Sequence, residues 1–224
     1  MDSKSRVQTK HGQYRRYSAL IILIILTGIG SAFSLKAAVG VGSWDALTLT
    51  ISFFVHVKVG TVGMILNILC VLGQILLLKK EFKWINLLQI PVSILLGTVV
   101  NFFLYDILSN FTIDSYLINV LLLIGSYVYL SIIVGTIMTL DLITFSLEGF
   151  CMAIANKTNQ SFGKVRQIAD ILCIVIVFLL ALAFSLPLSV REGTVISMLI
   201  FGPLLSFFMP KIEILVKKWR LVDN

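Results

Sequence analysis

Long apolar runs separated by short polar stretches dominate the pattern of this sequence. Each run is close to the ~20 residues that an α-helix needs to cross ~30 Å of hydrocarbon at 1.5 Å per residue. The pattern therefore predicts six membrane-spanning helices. They cover Tyr17–Leu35, Gly60–Leu78, Trp84–Leu104, Tyr116–Gly135, Ile168–Leu188 and Thr194–Ile214.

Two further segments are too short to cross a membrane as helices. Trp44–Val57 lies between the first and second spans, and Leu140–Asn156 lies between the fourth and fifth. Each would extend only about 20–25 Å. Two architectures fit this pattern: six spans with two re-entrant or interfacial helices, or eight spans of which two are short.

Small and polar residues recur in the same order along the two halves of the chain, at an offset that drifts from about 95 to 105 residues. Two similar halves are typical of carriers built around a pseudo-two-fold axis. The sequence thus predicts one transmembrane domain, 17–214, with repeats at about 17–106 and 115–214. The matched sets are Asp45-Ala-Leu-Thr48 with Asp141-Leu-Ile-Thr144, then Gly60, Asn67 and Cys70 with Gly163, Asp170 and Cys173, and finally Gly97 with Gly202.

The distribution of basic residues favours the six-span architecture. Six spans place fifteen of the 18 Lys and Arg residues on the side of the termini and three on the other, whereas eight spans give thirteen and five. Because basic residues mark cytoplasmic loops, both basic tails, 1–16 and 215–224, are predicted to be cytoplasmic. Three spans in each half would make the second half enter the membrane upside down, so the predicted repeat is inverted.

Composition supports a membrane protein and excludes most soluble classes. The chain is 58% hydrophobic and 13% charged, whereas soluble domains carry about 25% charged residues. We therefore predict an all-α, polytopic protein whose main partner is the lipid bilayer. The net charge of +7 comes from the loop clusters and tails, which indicates anionic headgroups and no nucleic-acid partner. The sequence is compatible with a homodimer and does not decide the oligomeric state.

No catalytic or metal-binding constellation is present in the sequence. It contains no HExxH, Walker A or GxSxG motif, and its two histidines are His11 and His56. Cys70, Cys151 and Cys173 lack CxxC spacing and are interpreted as packing residues. The sequence predicts no enzyme, no cofactor and no metal site.

Acidic residues at membrane depth are the first candidates for function, because insertion there costs several kcal/mol. Asp45 and Asp141 are expected at equivalent positions near the starts of the two short helices. Both interpretations stay open: a solute- or ion-binding pair near the midplane, or simple capping of helix N-termini.

Four other residues complete the candidate binding site. Ser43 and Trp44 directly precede Asp45, and Asn67 and Asn101 are polar residues inside long spans. Interhelical hydrogen bonding is the competing interpretation for both asparagines.

The segment Gly40-Val-Gly42-Ser43-Trp44-Asp45-Ala46-Leu47, followed by Gly60-Thr61-x-Gly63, resembles the YczE/YyaS/YitT group of bacterial integral membrane proteins. The resemblance covers about 20–210. It implies a multi-pass protein of the bacterial cytoplasmic membrane, of a kind described as permeases or accessory membrane proteins. It carries over no established functional residues.

Two functions are therefore predicted from the sequence. The first is a secondary transporter of a small solute with a polar site near the midplane. The alternative is a non-transporting accessory or scaffold protein that supports a membrane-associated biosynthetic or regulatory pathway. A polar internal cavity would favour the first, and a solid apolar core the second.

Overall fold

The computed structural model describes residues 3–218, and eight α-helices account for most of this part of the chain. The predicted tail residues 219–224 lie outside the described residues. Helices α1 and α8 themselves extend into the regions predicted as tails. The helices are α1 (Ser3–Lys36), α2 (Ser43–Val55), α3 (Val59–Leu78), α4 (Gln89–Phe102), α5 (Tyr116–Leu140), α6 (Ser146–Thr158), α7 (Phe162–Phe184) and α8 (Glu192–Lys218).

Six helical segments are long and apolar enough to cross a membrane, which confirms the prediction of a polytopic all-α protein with six spans. The fifth begins earlier than predicted, at Phe162 instead of Ile168, because the extended backbone of Ser161 directly precedes it. The segments are Tyr14–Lys36, Val59–Glu81, Trp84–Ile107, Tyr116–Leu140, Phe162–Phe184 and Glu192–Val216.

Helices α2 and α6 are the two short ones, with 13 residues each. The second was predicted to begin at Leu140, but it begins six residues later, at Ser146. The reason is the left-handed backbone of Asp141 (φ 48°), which ends α5. Asp141 therefore follows the C-terminus of α5, and the prediction that it lies at the start of the short helix is wrong.

Corresponding helices of the two halves begin at a constant sequence offset. Ser43 and Ser146 begin the short helices, Val59 and Phe162 begin the next pair, and Gln89 and Glu192 begin the last. Each second member lies 103 residues after the first. The drifting offset in the sequence therefore reflects imperfect matching of residue types, since the helix starts themselves do not drift.

Close packing holds α1, α5 and α8 together. Helices α1 and α5 are antiparallel, and the Arg16 guanidinium donates a hydrogen bond to the carbonyl of Leu140 at 2.8 Å. Helices α5 and α8 are parallel, because Leu123 meets Gly193 near the start of α8 and Gly135 meets Ile212 near its end. These three helices form one wall of the bundle.

The two halves differ in how their last two helices pack. In the first half α3 and α4 are tightly joined, with the Gly60 N–H donating to Asn101 Oδ1 at 2.8 Å and the Gln74 and Gln89 amides paired at 2.8 Å. In the second half, over the described residues, α7 and α8 scarcely contact each other. Helix α7 is instead held by α2 and α6.

Both short helices start in the interior of the bundle and run in opposite directions. Just before α2, the Gly42 N–H donates to the hydroxyl of Tyr127, halfway along α5, at 2.7 Å. The far end of α2 reaches the end of α7, where the Phe54 and Phe184 rings lie 4.4 Å apart. The far end of α6 instead clusters Ala155 with Val165, in the first turn of α7.

Six spans predict opposite accessibility for two exposed loop positions, Lys80 and Asn110. In a variant whose three buried cysteines are replaced, a single cysteine introduced by Lys80→Cys should resist a membrane-impermeant maleimide in intact cells, because the loop charges predict a cytoplasmic position for it. One introduced by Asn110→Cys should react. Labelling of the first from outside would replace six spans by eight.

Candidate functional site

A cavity of about 340 Å³ lies between the N-termini of the two short helices. All eight helices contribute to its lining, including Leu96 from α4 and Ser197 from α8. Its volume is in the range of small-molecule sites. Polar side chains reach it from several sides, among them Thr27 and Ser31 of α1.

The start of α2 is fixed by contacts with other helices. The Ser43 hydroxyl donates a hydrogen bond to the carboxylate of Asp170 on α7, and Tyr127 accepts the N–H of Gly42. No side chain caps α2, so neither Ser43 nor Asp45 acts as an N-cap. The first turn of α2, whose residues line the cavity, is therefore left without a side-chain cap for its N–H groups.

Asp45 is the acidic side chain of the cavity that has no direct partner. Within residues 3–218 it makes no hydrogen bond and no ion pair, and it lines the cavity from the first turn of α2. Its carboxylate is thus left open to a bound solute.

The other two cavity carboxylates share one guanidinium. Arg166 Nη1 forms an ion pair with Asp170, one helical turn further along α7. Its Nε lies 3.5 Å from Glu148 Oε1 on α6. Arg166 therefore bridges two carboxylates, one on its own helix and one on α6. This triad links α6 to α7 beside the cavity.

Aromatic side chains make up much of the remaining wall. Trp44, Tyr127, Phe145 and Phe201 all line the cavity. The Tyr127 and Phe201 rings meet edge to face, with centroids 5.9 Å apart. The cavity thus combines one unpaired carboxylate with several aromatic surfaces.

Four of the six candidate residues from the sequence line the cavity together: Ser43, Trp44, Asp45 and Asn67. Asn67 has no hydrogen-bond partner within the described chain, so its amide is available to a solute. Asn101 lies outside the cavity and joins α4 to α3 by accepting from the Gly60 N–H and donating to Thr61. That placement matches its competing interpretation as an interhelical hydrogen-bonding residue.

Asp141 does not join the site. It is exposed at the end of α5 and does not line the cavity. The acidic residue that corresponds to Asp45 is Glu148, since both are the third residue of a short helix. In the sequence, residue type pairs Asp45 with Asp141. The helix starts instead pair Asp45 with Glu148.

Several cavity residues were missed from the sequence, and Tyr127 and Ser197 are two of them. Tyr127 and Ser197 lie within spans predicted from their apolar composition. A tyrosine in the centre of an apolar run is an available signal, because its hydroxyl requires a partner when buried. In the described residues no group of three His, Cys, Asp or Glu side chains is arranged to hold a metal ion.

Comparison with known proteins identifies a family to which the chain belongs. A family model described as "Family of unknown function (DUF6198)" matches residues 14–210, a range that includes every cavity residue. No curated protein and no solved structure matches the chain.

Proposed function

Because the chain belongs to DUF6198, a family of unknown function, its activity has to be inferred from its own site, and we propose that it is a secondary transporter of a small solute. One observation carries the proposal: a cavity in a six-span protein, lined by both polar and apolar side chains, in which Asp45 and Asn67 have no partner among the described residues. Exposing a carboxylate and an amide inside a membrane protein is costly unless they bind something. An accessory or scaffold protein does not need such a cavity.

The relation between the two halves supports the same function. Within our proposal they form an inverted repeat, and twelve of the twenty cavity residues are pairs 103 residues apart. A site on a pseudo-two-fold axis suits alternating access, in which one half rocks against the other. The pairs are Thr27 and Leu130, Ser31 and Val134, Gly42 and Phe145, Trp44 and Leu147, Asp45 and Glu148, and Asn67 and Asp170.

The proposal includes a location and an orientation. We place the protein in the bacterial cytoplasmic membrane with both termini on the cytoplasmic side, as the loop charges indicate. Helix α2 then extends toward the outside and α6 toward the cytoplasm, so each half supplies one short helix to the site.

Transport is tested by reconstituting the purified full chain into liposomes and recording solute-induced currents or radiolabel uptake. The panel contains inorganic monovalent cations, primary amines, amino acids, monocarboxylates and sugars. We expect uptake of one class, and Asp45→Asn should lower the initial rate roughly tenfold or more, because a charge-assisted contact is worth about 1.5–3 kcal/mol.

Asp141→Asn is the matched control, since it removes the same charge from an exposed position outside the cavity. Its rate should equal that of the unchanged protein. Folded protein that transports no member of the panel would contradict the carrier and favour the accessory role. Equal rates for both variants would remove Asp45 from the site.

A further inference from the structure

The charges around the cavity leave an excess of negative charge. Three carboxylates line it, those of Asp45, Glu148 and Asp170, against the single guanidinium of Arg166. The N-termini of α2 and α6 add a partial charge of roughly +0.5 each. The balance remains about one negative charge, and Arg166 is already engaged by two carboxylates. An anionic solute would therefore find no free cation, whereas a cationic one would find Asp45.

The aromatic side chains indicate what kind of cation fits. The faces of Trp, Tyr and Phe rings attract organic ammonium groups, best when water is excluded. Trp44 directly precedes Asp45 on α2, and the Tyr127–Phe201 pair lies in the same lining. A small inorganic ion instead needs several oxygen ligands at short distance, and 340 Å³ is far larger than such an ion.

Resting on the proposed transport function, we propose that the cavity binds a small organic ammonium cation, with Asp45 as its counter-ion and Trp44, Tyr127 and Phe201 as its aromatic contacts. The ammonium group forms a charge-assisted contact with the carboxylate. The carbon skeleton lies against the rings, where the hydrophobic effect adds to the cation–π attraction. Asn67 contributes a polar contact from α3.

A proton competes with this cation for the same carboxylate. Asp45 faces Tyr127 from α5, Glu148 from α6, and Arg166 and Asp170 from α7. Protonation of the carboxylate would remove the charge that holds the cation. Affinity for the cation should therefore fall when the pH is lowered far enough to protonate Asp45, which suits exchange of the cation for a proton.

Binding is measured separately from transport, on the purified full chain in detergent. Trp84→Phe and Trp219→Phe leave Trp44 as the single tryptophan, so its emission reports on the cavity. The probes share one carbon chain and differ in charge: butylammonium, butanol, butyrate and 4-aminobutyrate. At about pH 7.5 butylammonium should bind roughly tenfold or more tightly than each of the others. When the pH is lowered far enough to protonate Asp45, its affinity should fall roughly tenfold or more.

Three variants decide whether Asp45 is the counter-ion. Asp45→Asn should weaken butylammonium binding roughly tenfold or more, Asp45→Glu should retain most of it, and Asp141→Asn should leave it unchanged. Circular dichroism and gel filtration establish that each variant is folded. Isothermal titration calorimetry repeats the comparison without depending on Trp44.

Each outcome has a distinct meaning. Tightest binding of butyrate or 4-aminobutyrate would overturn the cationic substrate class while leaving the cavity as a transport site. Tightest binding of butanol, absence of any binding, or equal affinity in Asp45→Asn would also overturn it. Butylammonium binding through Asp45 without transport in liposomes would uphold the cation site and refute the carrier.

Discussion

Replacing Gly60 with alanine is expected to lower the free energy of unfolding by about 3 kcal/mol, the upper end of the usual cost of overpacking. A Cβ atom there would collide with the backbone carbonyl of Gly97 on α4 and lie 2.7 Å from Asn101 Oδ1. A backbone atom cannot move away by changing a rotamer, so α3 and α4 would have to separate. The loss would be measured by denaturant unfolding in mild detergent, followed by circular dichroism.

Gly163→Ala is the matched control for this variant. Gly163 is the second residue of α7, as Gly60 is the second residue of α3, but among the described residues no atom beyond its chain neighbours and its own helix backbone lies within 4 Å of its hypothetical Cβ. Alanine there should be neutral or stabilise the helix by up to about 1 kcal/mol. Equal losses in the two variants would show that α7 packs as tightly as α3, contrary to this structure.

Replacing Arg166 with glutamine is expected to produce the other large loss. The change leaves Glu148 and Asp170 as two carboxylates without a cation beside the cavity. Breaking a buried pair in this way costs about 3–5 kcal/mol. The ion-paired side chains retain 22–33% of their exposure, so solvent screening places the expected loss at or below about 3 kcal/mol.

Removing the partner charge should recover part of this loss. In the double variant Arg166→Gln with Asp170→Asn, an amide still accepts the hydrogen bond from Ser43 and one uncompensated carboxylate disappears. The double variant should therefore be more stable than Arg166→Gln alone, with a measurable coupling free energy. Lys164→Gln, on the exposed side of the same helix, should change stability by less than about 0.5 kcal/mol. Additive losses in the double variant would show that the ion pair has no energetic role.

The spans could be predicted from the sequence because their length and apolar content are properties of each segment alone. The start of α6 could not, because it depends on the backbone of one residue. Asp141 adopts a left-handed conformation at φ 48°, which non-glycine residues adopt rarely, though aspartate more often than most. The surrounding sequence does not distinguish this end of α5 from a continuing helix or from the N-cap of the next helix.

The candidate site was predicted in part for a similar reason. Asp45 was identified because charged residues at membrane depth are rare, and Ser43 and Trp44 were identified because they directly precede it. Tyr127 was missed because its role depends on which face of α5 is turned inward. Packing against α1 and α8 determines which face is turned inward. A pattern of apolar residues does not specify this packing.

Helices α7 and α8 scarcely contact each other, so the surrounding lipid completes the packing on this side of the protein. Apolar side chains such as Leu172, Leu179 and Leu182 are exposed along α7, and in a bilayer they are covered by acyl chains. Lipid tails are as apolar as leucine, so the hydrophobic effect does not drive these two helices together. Contacts within the chain join α3 to α4, whereas α7 and α8 are separated by lipid hydrocarbon. The thickness and order of the surrounding lipid therefore act directly on one wall of the cavity.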